Sequence, residues 1–110
     1  MGTRADFYVG RGESAEWIGS IAMDGNPRFL LRYGVFAASI EQYRQAVADL
    51  IRGKDHGTST AQGWPWPWDN SCETEYAYAF DCGKVYGTAH TQVYDAWRRH
   101  WFDAPAVATL

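Results

Sequence analysis

The sequence predicts an α+β domain: a small, mostly antiparallel β-sheet, made of an N-terminal hairpin and an aromatic C-terminal hairpin, packed against one amphipathic helix. Three observations carry this. Across residues 76–92 apolar side chains alternate about a tight turn. Across residues 39–53 apolar side chains recur at helical spacing, and two strand-like runs, 6–9 and 17–23, come before them.

In the first run Phe7 and Val9 alternate with Tyr8; in the second, Trp17, Gly19, Ile21 and Met23 alternate with Ile18, Ser20 and Ala22. The second is apolar on both faces, which suits an inner strand. Between them, Gly10-Arg11-Gly12-Glu13-Ser14-Ala15 matches G-x-G-x-x-A. In a dinucleotide site that pattern opens a helix within a βαβ unit. Here a strand-like run follows, so the stretch reads as a glycine-rich hairpin loop and implies no cofactor.

Asp24-Gly25-Asn26-Pro27 is a turn by composition. Residues 28–36 suit either a third strand or an extended lead into the helix. The helix has a clear start, with Ser39 as N-cap and Gln42 completing a capping box. Ile40, Tyr43, Val47, Leu50 and Ile51 form one stripe; Glu41, Arg44, Gln45, Asp49 and Arg52 take the other side, and Gly53 ends the run. The stripe is expected to pack on one face of the sheet.

Residues 54–63 are polar and small, a flexible loop. They lead into Trp64-Pro65-Trp66-Pro67-Trp68, where each proline fixes φ, removes a backbone donor and biases the residue before it towards an extended conformation. The indoles of Trp64, Trp66 and Trp68 are thus held on a stiff segment at little entropic cost. They form either a rigid plug over one end of the core or a recognition surface.

In the aromatic hairpin, Cys82-Gly83 is the two-residue loop, with Gly83 free to take a positive φ. Asp81 then faces Lys84, Phe80 faces Val85, Tyr78 faces Gly87 and Tyr76 faces Ala89. Tyr76, Tyr78, Phe80, Val85, Gly87 and Ala89 share an apolar face, while Glu75, Ala77, Ala79, Tyr86, Thr88 and His90 share a mixed one. A one-residue slip would exchange the faces, so the pattern specifies the register. Beyond it, Thr91 can cap a short helix with Val93, Tyr94, Trp97 and Trp101 at helical spacing; a strand through Tyr94 is the rival reading over 92–102. Residues 103–110 read as a tail, with Pro105 near its start.

At 110 residues the chain is expected to form one domain. Its net charge of −3 argues against a nucleic-acid backbone binder, since Arg98-Arg99-His100 is the best local basic cluster. No run is long enough to span a bilayer and the start lacks a signal-peptide apolar core, so the protein is expected in the cytoplasm with free thiols. Six Trp, seven Tyr and five Phe are too many for one small core. Some should line a groove or an oligomer interface.

Reactive groups are sparse. Glu75 lies across from His90 in the predicted register, and Cys72 is near enough to complete a Cys-His-acid site. Cys82 sits at the far end of the hairpin, ~20 Å along the strand from His90. The ordinary readings, a small packing cysteine and a cross-strand pair, compete with catalysis by Cys72, His90 and Glu75. No C-x-x-C, H-x-x-x-H or H-E-x-x-H spacing occurs, so no metal site is expected.

Two stretches go beyond composition. Ala5-Asp6-Phe7-Tyr8-Val9-Gly10-Arg11-Gly12, continuing through Ala15-Glu16-Trp17-Ile18-Gly19-Ser20-Ile21, resembles the opening of a family of small bacterial proteins of uncharacterised activity, whose genes often travel on mobile elements, including integron gene cassettes. Gly63-Trp64-Pro65-Trp66-Pro67-Trp68, followed by Tyr76-Ala77-Tyr78-Ala79-Phe80-Asp81 and Gly83-Lys84-Val85-Tyr86, is similar to its second signature; residues 92–110 depart from it. The resemblance implies a compact bacterial cytosolic α+β domain and supplies no activity. The expected function is a non-catalytic, homo-oligomeric interaction module. Trp64, Trp66, Trp68, Tyr76, Tyr78 and Tyr86 would form its aromatic contact surface towards a small-molecule or protein partner. The alternative is a small enzyme built on Cys72, His90 and Glu75.

Overall fold

The two predicted hairpins lie side by side in one sheet, joined through their first strands, which run parallel. The computed structural model describes residues 3–11, 15–21, 23–53, 58–59, 76–89 and 101–109, with Thr58, Ser59 and Ala89 as backbone alone. Its strands are β1 (Ala5–Val9), β2 (Glu16–Ile21), β3 (Thr58–Ser59), β4 (Tyr76–Asp81), β5 (Lys84–Ala89) and β6 (Phe102–Asp103), in the sheet order β3-β2-β1-β4-β5-β6. Every pairing except β1 with β4 is antiparallel. The helices are α1 (Pro27–Leu31), α2 (Ile40–Arg52) and α3 (Ala104–Ala108).

The β4–β5 hairpin has the expected register, from Tyr76 opposite Ala89 to Asp81 opposite Lys84. Its turn takes positive φ at both central positions, 52° at Cys82 and 78° at Gly83. That is the turn whose twist matches the flanking strands. Glycine bears such a φ at no steric cost, whereas Cys82 is a non-glycine residue held there by the hairpin.

One face of the sheet is the core. Ala5 and Phe7 of β1, Ile21 of β2, Tyr78 and Phe80 of β4 and Val85 of β5 are buried there with Tyr43, Val47, Leu50 and Ile51 of α2. The α2 stripe packs as the helical spacing predicts, and Ser39 caps the helix by accepting the Gln42 N–H at 3.2 Å. Within this core the Tyr43 hydroxyl donates to the Tyr8 carbonyl at 2.8 Å, tying helix to sheet.

Four expectations are corrected. Residues 28–36 form neither a strand nor an extended lead: α1 starts at Pro27, with Asn26 as N-cap accepting the Phe29 N–H at 2.9 Å. Residues 103–109 are not a tail. Asp103 ends β6 and caps α3, accepting the Ala106 N–H at 3.1 Å, with Pro105 in the first turn. Both helices carry the same start signal, a capping side chain followed by proline in the first turn, where its missing N–H costs nothing. The predicted C-terminal helix does not extend through 101–102, because Trp101 is non-helical and Phe102 belongs to β6; its earlier part lies outside the described residues.

The fourth correction is in β2, where side chains do not simply alternate. The β1–β2 ladder slips between Phe7 and Tyr8, so that Tyr8 pairs with Trp17, while Asp6 still pairs with Ser20. An extra residue in one strand of a pair re-aims the side chains beyond it. Trp17 and Ser20, three apart and expected on opposite faces, therefore share the face away from α2.

Candidate functional site

The sequence-predicted site residues fall into three places. Trp64, Trp66, Trp68, Cys72, Glu75 and His90 lie outside the described residues. Tyr76 and Tyr78 are on the helix-covered face of the sheet and Tyr86 is on the opposite one, so the hairpin tyrosines do not form a single surface.

Tyr78 is a core residue, contrary to its expected place on the contact surface. It is fully buried, with ring centroids 5.8 Å from Phe7, 5.7 Å from Phe36 and 5.9 Å from Tyr76. Its hydroxyl donates to the Gly25 carbonyl at 2.7 Å, fastening the turn before α1 to β4. Burial pushes its ionisation well above the ordinary phenol range, and the neighbouring Tyr76 phenol pushes the same way. Tyr76 is half-buried and stacks on it.

The opposite face is ordered in rows that the strand registers define. Trp17, Tyr8, Ala79 and Tyr86 are successive cross-strand neighbours, and so are Ser20, Asp6, Ala77 and Thr88. The first row is aromatic about a central alanine; the second is polar about another. Tyr8, Ala77 and Ala79 make a small buried cluster, with Ala15, Trp17 and Trp101 packed on it. Beside it Asp6 and Ser20 are buried. The Ser20 hydroxyl donates to Asp6 Oδ1 at 2.7 Å, and the Trp17 indole N–H reaches Ser20 Oγ at 3.0 Å and Asp6 Oδ1 at 3.3 Å. Buried polar groups of this kind persist because they are hydrogen-bonded. The β1–β2 slip makes the arrangement, since it brings the Trp17 indole round to Ser20.

At one end of that face Arg11 bridges Tyr86 of β5 and Asp81 of β4. Arg11, in the loop after β1, lies with its guanidinium carbon 3.8 Å from the Tyr86 ring centroid, and its Nε donates to Asp81 Oδ2 at 2.9 Å. That hydrogen bond holds the Asp81 carboxyl below the usual carboxylate range against partial burial. Cys82 is a free, exposed thiol that donates to Asp81 Oδ1 at 3.4 Å. Lys84 pairs with Asp103 across to β6, not with Asp81 opposite it.

Sequence reasoning missed the apolar residues that remain outside. Met23, Leu31 and Tyr33 are exposed, and Phe29 stacks on Tyr33 with centroids 5.0 Å apart. Tyr33 also lines an open hollow of ≈ 180 Å³ with Asp49, Leu50 and Gly53 of the α2 end. The Asn26-Pro27 start signal was the clue, because a helix there carries Leu31 to the end of its last turn.

Among the described residues no group of three His, Cys, Asp or Glu side chains is placed to hold a metal ion, and no helix is long and apolar enough to cross a membrane. Comparison with protein-family models, with curated proteins and with solved structures found no match to the chain.

Proposed function

We propose that the protein is a non-catalytic interaction module that works as a homo-oligomer in the cytoplasm, making contact through apolar and aromatic side chains left outside its core. The observation that carries this reading is the exposure of Met23 (46 %), Leu31 (39 %) and Tyr33 (49 %). Scattered apolar residues on a surface are ordinary, but Leu31 and Tyr33 flank the end of one short helix, with Phe29 stacked against Tyr33. The two sheet faces have already absorbed Phe7, Tyr8, Tyr43, Tyr78 and Phe80. A surface helix with no contact to make would carry polar residues there. Trp64, Trp66 and Trp68 extend the reading on sequence grounds, as rings held on a proline-stiffened segment. Cargo of mobile elements, the origin that the two signature stretches suggest, fits a module that acts by contact.

Native mass spectrometry of freshly purified protein, run beside the double variant Leu31→Glu/Tyr33→Ser, tests the proposal. The wild type is expected at a multiple of the subunit mass, or with a reproducible bound partner, and the variant as a folded, bare monomer. A wild type that is a bare monomer at every concentration would sink the reading.

A further inference from the structure

We propose that Arg11 is the recognition group of a binding site for a small organic carboxylate, at the end of the sheet where Arg11, Asp81 and Tyr86 meet. The first support is what the fold does to this arginine. Gly10, with φ +89°, turns the chain out of β1, and its N–H bonds the Phe80 carbonyl at 2.8 Å, so the loop is anchored beside Asp81. The guanidinium is then fixed twice, its face against the Tyr86 ring at 3.8 Å and its Nε on Asp81 Oδ2 at 2.9 Å. An exposed arginine normally loses rotamer freedom when it captures a ligand. Here packing has already removed most of that freedom.

The second support is what remains unused. Stacking occupies the plane of the guanidinium and Asp81 takes the Nε edge. The two terminal amino groups donate to nothing among the described residues, and the side chain is 32 % exposed. Two terminal N–H groups in one plane match the two oxygens of a carboxylate, the paired geometry in which arginine differs from lysine. Charge selects the class further. Any anion held there also meets the Asp81 carboxylate that balances Arg11, and that repulsion is about twice as large for a doubly charged phosphate as for a singly charged carboxylate, which favours the carboxylate.

The test is an NMR titration of the intact chain, following the Arg11 Nε–H signal. The probes are sodium acetate, acetamide as its neutral isostere, and sodium chloride at equal ionic strength. Acetate is expected to move the signal saturably in the millimolar range, acetamide and chloride not at all, and inorganic phosphate more weakly than acetate. Arg11→Lys, which keeps the charge and loses the fork, is expected to bind acetate at least about fivefold more weakly, seen in the backbone signals of Gly10 and Tyr86. A wild-type response to acetate that equals the chloride response overturns the proposal without recourse to any variant. So does an Arg11→Lys protein that titrates like the wild type.

Discussion

The ring of Phe102 stands where a side chain on Gly87 would begin. A Cβ there would lie 2.7 Å from two of the Phe102 ring carbons and 3.1 Å from the Tyr78 ring. The two aromatic residues thus close over bare backbone in β5, and β6 is seated by that contact. We predict that Gly87→Ala destabilises the fold by about 1–3 kcal/mol through overpacking, although alanine is ordinarily the better strand residue. Urea denaturation with an unchanged m-value would measure it. A change under about 0.5 kcal/mol would mean that Phe102 moves aside freely.

Tyr78→Phe keeps the ring contacts and deletes the hydroxyl that donates to the Gly25 carbonyl at 2.7 Å. A buried carbonyl is left without that donor, so we predict a loss of about 1–2 kcal/mol by thermal or urea unfolding. A neutral result would mean that the turn before α1 finds another donor.

The phenols of Tyr43 and Tyr78 give an alkaline signature. Burial is the largest cause raising the ionisation of both above the ordinary phenol value of 10.0. Above pH 10 the unfolded chain therefore sheds protons that the native chain keeps, and unfolding gains. This stability is complete below pH 10 and is lost as pH rises beyond it. Phenolate absorbance should show both groups ionising only as the fold is lost, with the decline shallower in Tyr78→Phe. Full tyrosine titration of a still-folded protein would contradict this.

How much was legible depended on whether the signal was local. The β4–β5 register was readable because alternation and a two-residue turn act within fourteen positions, from Tyr76 to Ala89. The α2 stripe was readable for the same reason. What failed was non-local or masked by a stronger cue. Nothing in the sequence announces that β1 pairs parallel with β4, which sets the Trp17, Tyr8, Ala79 and Tyr86 row. Tyr78 looked like half of a surface because alternation assigns a face without saying what covers it; here α2 and the turn before α1 do. By composition Asn26-Pro27 reads as part of a turn and Asp103-x-Pro105 as the start of a tail although both are helix starts, the prolines drawing attention from the capping residues beside them. Arg11 could not be placed against Tyr86 from sequence, since the contact depends on that same parallel pairing.

The slip in β1–β2 makes a prediction of its own. Ser20→Ala removes the hydroxyl linking Asp6 Oδ1 (2.7 Å) to the Trp17 indole (3.0 Å). A buried carboxylate loses a donor, and we predict a cost of about 1–3 kcal/mol, with a change in tryptophan emission as the Trp17 indole shifts. Trp17→Phe, which removes the indole N–H but leaves Ser20 on Asp6, should cost less in hydrogen bonding. Equal stability of wild type and Ser20→Ala would mean that the network has no part in holding the irregular register.

The acid side can be separated from these buried effects through Asp81. Its carboxyl is held below the usual carboxylate range, first by the Arg11 hydrogen bond. A lowered native value means that the stabilisation is present above the unfolded carboxylate range and disappears as pH falls through the native value, because both states are then protonated. Asp81 and Arg11 are about a third exposed, so the contribution is that of a surface pair, about 0.2–1 kcal/mol, and screened by salt. We predict that Asp81→Asn is slightly less stable than wild type at pH 6 in low salt, and that the two converge as pH falls below the carboxylate range. High salt at pH 6 should narrow the same gap. A gap that persists undiminished at acid pH would assign the effect of Asp81 to packing at the turn instead of to its charge.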